Sequence, residues 1–337
     1  MKTISIIIPC LNEKNYIRRC LNSIQQQSYP SHVITTFICD GGSTDGTIEI
    51  INDFIKSHTQ FSLLYNEKKT TPYALNLGIV NSKADIIIIL GAHSELDENF
   101  VSNSVLSFDI DNQIMCVGGI LENVYENATS QIIGAAMSSS FGVGNAHFRT
   151  GNKSGFVDTV AFGAYKKEIF DQVGLFDEEL IRNQDDEFNF RITNAGFKIY
   201  LNHTIKCNYF VRASFQKLFK QYYQYGYWKV FVNKKHKTIT TVRQLIPLLF
   251  VLYLCLWLTS CVLSIYLFFA LASVMALYVG LAFLAAFQKK DGSLVTILGT
   301  VYTFFILHIS YGLGYLKGIF DFFILRKSIK QHESLSR

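Results

Sequence analysis

Three acids in a row, Asp185-Asp186-Glu187, stand where a helix is expected to begin in this 337-residue chain. A carboxylate placed there is suited to taking the proton from a hydroxyl as that hydroxyl attacks, work that Asp or Glu does at neutral pH when its surroundings tune it. On a helix the three side chains point in different directions, so only one can face a substrate; acids at a helix start also serve the helix dipole alone. Two further polar groups follow apolar runs: Pro9-Cys10-Leu11-Asn12-Glu13 after Ile6-Ile7-Ile8, and Asp40-Gly41-Gly42-Ser43-Thr44-Asp45-Gly46-Thr47 after Phe37-Ile38-Cys39. A carboxylate at a strand end can accept a nucleobase N–H, and the glycines permit a tight turn whose amides face a ligand. Either segment by itself also reads as a capped strand-to-helix turn, with Ser43 or Asp45 capping a helix from Thr47. His93, in Leu90-Gly91-Ala92-His93-Ser94-Glu95, follows a further apolar run, and a lone His there reads by itself as structural.

The elements that must position these residues alternate. Ile4–Ile8, Val33–Cys39, Phe61–Tyr65 and Ile86–Leu90 read as buried strands, and Tyr16–Gln27, Thr47–Ser57 and Tyr73–Val80 as helices between them. That rhythm predicts an α/β fold with a Rossmann-like sheet, whose ligands bind at the carboxyl ends of the strands. Met115–Ile120 and Val157–Phe162 read as further strands, with helices starting near Lys166 and after Gln184.

With 49% hydrophobic and 17% charged residues the chain is too apolar for disorder. Leu245–Phe287, 43 residues, contains no Asp, Glu, Lys or Arg. This is about twice the ~20 residues that span a bilayer and predicts two spans, 245–264 and 266–287, within a membrane region 244–325. A third apolar segment, 294–316, is long enough to cross, but crossing would carry Arg326, Lys327 and Lys330 of a basic tail (326–337) away from Lys289 and Lys290, against the positive-inside bias; a re-entrant or interfacial segment is the alternative. Residues 213–243 read as an amphipathic interfacial helix and basic linker between this region and a domain over 1–212. Lys229, Lys234, Lys235, Lys237 and Arg243 crowd the approach to the first span and suit anionic lipid headgroups; no nucleic-acid motif accompanies them, so no nucleic-acid partner is expected. The net charge is +5, and seven cysteines without CxxC spacing indicate neither a disulfide framework nor a zinc site. No signal peptide is read at the N-terminus, so the soluble part is expected to face the cytoplasm from the inner membrane. The Asn-x-Ser/Thr triplets at Asn127, Asn152 and Asn202 then carry no glycans.

Taken together and in order, Pro9-x-x-Asn12-Glu13 and the Asp40–Thr47 turn resemble the opening of the family 2 glycosyltransferases, inverting enzymes with a GT-A nucleotide-sugar-binding domain. The resemblance extends through Tyr73–Gly78, Ser139–Gly144, Phe148-Arg149, Val157–Tyr165, Gly174–Glu178 and Asn183–Arg191, covering about residues 4–230. The later segments look most like the succinoglycan-biosynthesis type of membrane-attached glucosyltransferase. The resemblance implies transfer of a hexose from a nucleotide diphosphate sugar, a UDP-sugar, to a lipid-linked glycan precursor in exopolysaccharide, capsule or O-antigen synthesis. A polyprenyl-phosphate sugar synthase and a catalytically impaired nucleotide-sugar-binding subunit are the alternatives. Anchoring makes sense for such an acceptor, because enzyme and lipid then share one surface and their effective concentration rises.

Carried over by position, the resemblance implies that Pro9, Asn12 and Glu13 line the uridine pocket, that Asp40 contacts uracil, and that Gly42, Asn76 and Ala92 complete the nucleotide-sugar site. It makes Asp185 the general base, with Asp186 and Glu187 as alternates. Arg149, Gln224, Tyr225 and Trp228 fall on the acceptor or membrane side, where aromatic faces can hold a sugar ring or anchor at an interface. One departure stands out: the family's Asp-x-Asp-like pair, which holds Mg²⁺ or Mn²⁺ against the diphosphate, is replaced so that Gly91 takes the first acid's place and His93 is the remaining metal donor.

Overall fold

A computed structural model describes residues 1–151, 153–211, 213–288 and 293–327. The expectations for Asn152, Lys289, Lys290, Lys330 and the tail beyond 327 lie outside the described residues. The chain divides into two compact units, Met1–Val124 with His147–Phe210, and Tyr125–Ala146 with Val211–Arg337.

The first unit is built on nine strands: β1 (Ile4–Cys10), β2 (Ile34–Asp40), β3 (Phe61–Tyr65), β4 (Ile86–Ile89), β5 (Ser94–Leu96), β6 (Ile114–Val124), β7 (Gly155–Val157), β8 (Ala161–Lys166) and β9 (Lys198–Phe210). They form one mixed sheet in the order β3-β2-β1-β4-β8-β6-β9-β5, with β7 paired to β9. β1 is parallel to β2 and to β4, and β8 runs antiparallel to β4, so Ala161 and Phe162 enter the sheet at the end where β4 leaves it. Helices α1 (Ile17–Gln25), α2 (Thr47–Ser57), α3 (Thr71–Asn81) and α4 (Phe100–Ser107) connect the early strands. The strand expected over 157–162 is two pieces, because the chain turns out of β7 after Val157 and re-enters as β8 at Ala161.

The second unit is helical. Helices α5 (Ala128–Met137) and α6 (Ser140–Val143) belong to it, whereas α7 (His147–Thr150), α8 (Ile169–Val173) and α9 (Gln184–Asn194) return to the sheet unit. Its remaining helices are α10 (Phe215–His236), α11 (Ile246–Leu263), α12 (Ile265–Phe287) and α13 (Leu294–Ile319), the last continued by a π-helical turn at Phe320–Ile324. Residues 125–146, which fall inside the domain expected over 1–212, pack on α13, where a Cβ on Gly299 would lie 2.9 Å from Ile132 and one on Gly142 3.1 Å from Phe304. Asn127 caps α5, accepting from Ser130 N at 2.9 Å. Three stretches, Val242–Leu263, Ile265–Phe287 and Leu294–Ile324, are long and apolar enough to cross a membrane.

Candidate active site

The polar loops expected to act together meet at the carboxyl ends of β1, β2 and β4. Asn12 adopts a left-handed backbone, φ 56°. In that pose its N–H donates to Ser43 Oγ (2.8 Å) and its Oδ1 accepts from Thr44 N (2.9 Å). Glu13 N donates to Thr47 Oγ1 (2.9 Å), and Lys14 N to Asp45 Oδ2 (3.1 Å). Four bonds thus lace the first loop onto the glycine-rich turn and fix the width of the cleft between them. Asp45 also accepts from Thr47 N at 3.0 Å, which caps α2. Burial works against the Asp45 charge, but the bonds from Thr47 and Lys14 prevail and hold its carboxyl below the usual range.

Asp40 closes β2 at the start of the glycine-rich turn. Its side chain is 1% exposed. Its carboxylate accepts from Gly42 N (3.2 Å), Ser43 N (2.9 Å) and Ser43 Oγ (2.5 Å). This acid folds back on the turn's own amides and shapes the turn. Gly42 needs its φ of 85° to make that turn, and the next residue outward from Asp40 is another glycine. Two lysines that the sequence reading passed over stand at the turn. The position of a Cβ on Gly42 lies 4.0 Å from Lys69 Nζ and 3.8 Å from the Tyr65 hydroxyl, and that on Gly46 lies 3.6 Å from Lys14 Nζ. Isolated lysines carry no motif, and their nearness to two strand ends was the signal available.

His93 sits beside Glu13, Nδ1 to Oε1 at 3.5 Å, so the first and third loops converge. Its ring meets Tyr209 edge-on at 6.0 Å, and the Arg149 guanidinium lies over the same Tyr209 ring at 4.9 Å. Arg149 therefore belongs to the His93 side of the sheet unit. Among the described residues no group of three or more His, Cys, Asp or Glu side chains could hold a metal ion. Glu13 and His93 fit one side of a divalent cation whose other ligands a diphosphate would bring. Gly91 faces Phe162: a Cβ there would lie 3.1 Å from Phe162 Cε1.

The acids of α9 separate by role. Phe188 and Ile192 are fully buried in the core with Tyr165, Phe170 and Phe176. At 100° per residue Asp185 shares their face, one turn nearer the helix start. It is exposed and close enough to Tyr165 for its charge to add to the burial that lifts the Tyr165 hydroxyl well above its usual range. Glu187 is 2% exposed and bound by Arg191, Nε to Oε1 at 2.8 Å and Nη2 to Oε2 at 2.9 Å. This ion pair engages both of its oxygens within α9.

Asn76 and Ala92 are both buried in the sheet unit. Asn76 donates to Phe176 O (2.8 Å) and Glu178 Oε1 (3.2 Å) and accepts from Phe176 N (3.0 Å), tying α3 to the 176–178 loop. Ala92 is 2% exposed. Pro9, half-buried, is the last residue but one of β1. Gln224, Tyr225 and Trp228 lie on α10, in the helical unit. Trp228 is fully buried against Tyr227, Phe231 and Phe322, so its ring has no face for a sugar. Tyr225 receives the Gln221 side-chain N–H at 2.8 Å.

The mixed sheet of this order, with polar loops gathered at the ends of its parallel strands, is a GT-A-like fold. The chain belongs to glycosyl transferase family 2, whose model matches residues 5–174. It is 35% identical over 242 residues, 70% of this chain and 75% of the other, to the dolichyl N-acetyl-alpha-D-glucosaminyl phosphate 3-beta-D-2,3-diacetamido-2,3-dideoxy-beta-D-glucuronosyltransferase of Methanococcus voltae. It is 28% identical over 248 residues, 72% and 74% of the two chains, to the succinoglycan biosynthesis protein ExoA of Rhizobium meliloti. The solved mannosyltransferase PcManGT from Pyrobaculum calidifontis, in complex with GDP-Man and Mn²⁺, superposes with a TM-score of 0.68 at 15% identity, over 95% of this chain and 88% of that one.

Proposed function

We propose that this enzyme moves a hexose, with inversion, from a UDP-sugar to a hydroxyl of a lipid-linked glycan precursor at the cytoplasmic face of the cell membrane. The observation that carries the reading is the interlocked pair of loops, Asn12 to Ser43 and Thr44, Glu13 to Thr47 and Lys14 to Asp45, with His93 drawn onto Glu13 at the same sheet edge. A nucleotide laid across that edge meets the turn's glycines, with Lys14 and Lys69 beside its negative charge. The printed name of the Methanococcus relative, with its dolichyl-phosphate-linked sugar acceptor, supports the lipid-linked half.

In this mechanism Asp185 takes the proton from the acceptor hydroxyl while its oxygen attacks the anomeric carbon; the bond from that carbon to phosphate breaks, and the nucleoside diphosphate leaves. Arg149, held over Tyr209, offsets charge on the leaving group. A divalent ion, when bound, supplies further neutralisation, with Glu13 and His93 as its protein donors. The test is to incubate the full-length protein in vesicles with UDP- and GDP-sugars and lipid-linked acceptors, with and without EDTA. Acceptor-dependent UDP release that EDTA suppresses is expected. No release from any donor would refute the reading. GDP release alone would replace the nucleotide, and transfer onto bare polyprenyl phosphate would replace the acceptor.

A further inference from the structure

We infer that only the α11–α12 hairpin enters the bilayer, and that α13, despite its apolar length, stays on the face from which the hairpin departs. This rests on the membrane attachment proposed above and goes beyond it by fixing the topology. The three apolar stretches differ in what covers them: 44% of the α13 window is buried inside the protein, against 11% for α11 and 6% for α12.

Besides α5, α6 and the foot of α11, where a Cβ on Gly312 would lie 2.2 Å from Pro247 O, α13 is covered along its length by α10. The two run side by side in the same direction, from Phe215 against Tyr302 (5.3 Å between ring centres) to the Lys234 ammonium, which donates to Phe322 O at 2.7 Å. Between these points the backbones touch. A Cβ on Gly226 would lie 2.0 Å from Tyr311 O, and one on Gly314 2.0 Å from Tyr223 O. The shared length, residues 302–322 of α13, is about 30 Å at 1.5 Å per residue, the thickness of a bilayer's hydrocarbon core. Carrying α13 across would carry α10 with it. Lys217, Lys220, Gln224, Lys229, Asn233, Lys234 and Lys235 would then lie at bilayer depth, where each charged side chain is costly. The bonds between the two helices are those of a soluble interface: Asn233 Nδ2 to Tyr315 Oη at 2.8 Å, and Tyr227 Oη to Asp321 Oδ2 at 3.1 Å. Asp321 also pairs with Lys317 and Lys327, at 2.6 and 3.0 Å.

The hairpin is the opposite case. Its buried residues are Val251, Ser260, Ala282 and Ala286, while its far end is open, with Val262 87%, Leu263 72% and Tyr266 86% exposed. Tyr253 Oη donating to Leu271 O (2.6 Å) and Trp257 stacked on Phe268 (5.9 Å) close the two helices on each other. An 18-residue α11 is about 27 Å long, enough to cross. With one hairpin and no third span, Arg243, Arg326 and Lys327 all stay on one face, which removes the conflict with the positive-inside bias.

The test is side-specific labelling of the full chain in sealed vesicles of known orientation, with Cys255 and Cys261 replaced by alanine. Val295→Cys, Leu325→Cys and Tyr266→Cys, all at exposed positions, are treated with a membrane-impermeant maleimide, and nucleotide binding checks that each variant is folded. We expect Val295→Cys and Leu325→Cys to label from the face that carries the nucleotide site, and Tyr266→Cys to lose labelling from that face. Labelling of Val295→Cys and Leu325→Cys from opposite faces would overturn the inference while leaving membrane attachment intact. All three labelling from one face, with the protein released by alkali, would overturn both.

Discussion

The ring of Phe162 lies against Gly91, with Cε1 3.1 Å from where a Cβ on Gly91 would stand, and Phe162 holds that place with a left-handed backbone at φ 49°. An aromatic residue in that conformation is held there by its surroundings at a cost of order 1–3 kcal/mol. Phe162 thus occupies the space beside Gly91, two residues before His93. Gly91→Asp by itself should give little gain in Mn²⁺ affinity, because the new side chain meets the ring; Gly91→Asp combined with Phe162→Ala should gain more than the two single changes together. Calorimetric titration of Mn²⁺ into the nucleotide-loaded protein measures the coupling, expected at about 0.5–3 kcal/mol. Strict additivity would mean that the ring does not guard the site.

Glu13 and His93, 3.5 Å apart, should behave as one donor set. His93→Ala and Glu13→Gln are each expected to weaken Mn²⁺ binding by about tenfold or more, with Mn²⁺ preferred over Mg²⁺ because an imidazole is present. The same titration with both ions checks this. Unchanged affinity in both variants would leave the ion to the diphosphate alone.

Asp40→Ala should lower stability by about 2–3 kcal/mol, since it strips Gly42 and Ser43 of a charged acceptor, and nucleotide affinity should fall with it as the turn loosens. Thermal unfolding and nucleotide calorimetry on one preparation decide between this and direct base recognition, which would weaken binding and leave the melting temperature unchanged.

That distinction marks where the sequence stopped being informative. The strand–helix alternation through Ile89 was legible, because four short apolar runs and the helical spacing between them leave few other arrangements. So was the convergence of the Asn12, Asp40 and His93 loops, since each follows a strand of one parallel group. The direction of the Asp40 carboxylate was not: an acid at a strand end has the same sequence whether it meets a ligand or its own turn. Asn76 spends its polar atoms on Phe176 and Glu178, about a hundred residues away, contacts that no local pattern encodes, whereas the Glu187–Arg191 pair follows the ordinary four-residue helix spacing. Residues 125–146 side with the helical unit because Ile132 and Gly142 fit α13, again a distant match. Phe162 has the composition of an ordinary strand residue, and nothing in it signals a left-handed backbone.

The Asp45 carboxyl is held below its usual range by Thr47 and Lys14 against the effect of burial. A carboxyl lowered on folding contributes stability that is fully present above the ordinary Asp value of about 3.9 and is lost as pH falls through the lower folded value. The stability difference between the wild type and Asp45→Asn should therefore be constant from neutral pH down to about 4 and shrink below it. Denaturant titrations across that range check the sign. A difference that grows on acidification would contradict the hydrogen-bonding scheme of the two loops.

Asp185 carries the central claim, because Glu187 is committed to Arg191 while Asp185 shares the face of α9 that looks onto Tyr165. The most direct measurement compares Asp185→Asn with wild type for sugar transfer and for nucleotide binding in the same preparation. Transfer is expected to fall by about 10²–10⁴-fold while nucleotide affinity stays within about twofold. Wild-type turnover in that variant would contradict the account and remove Asp185 from the chemistry.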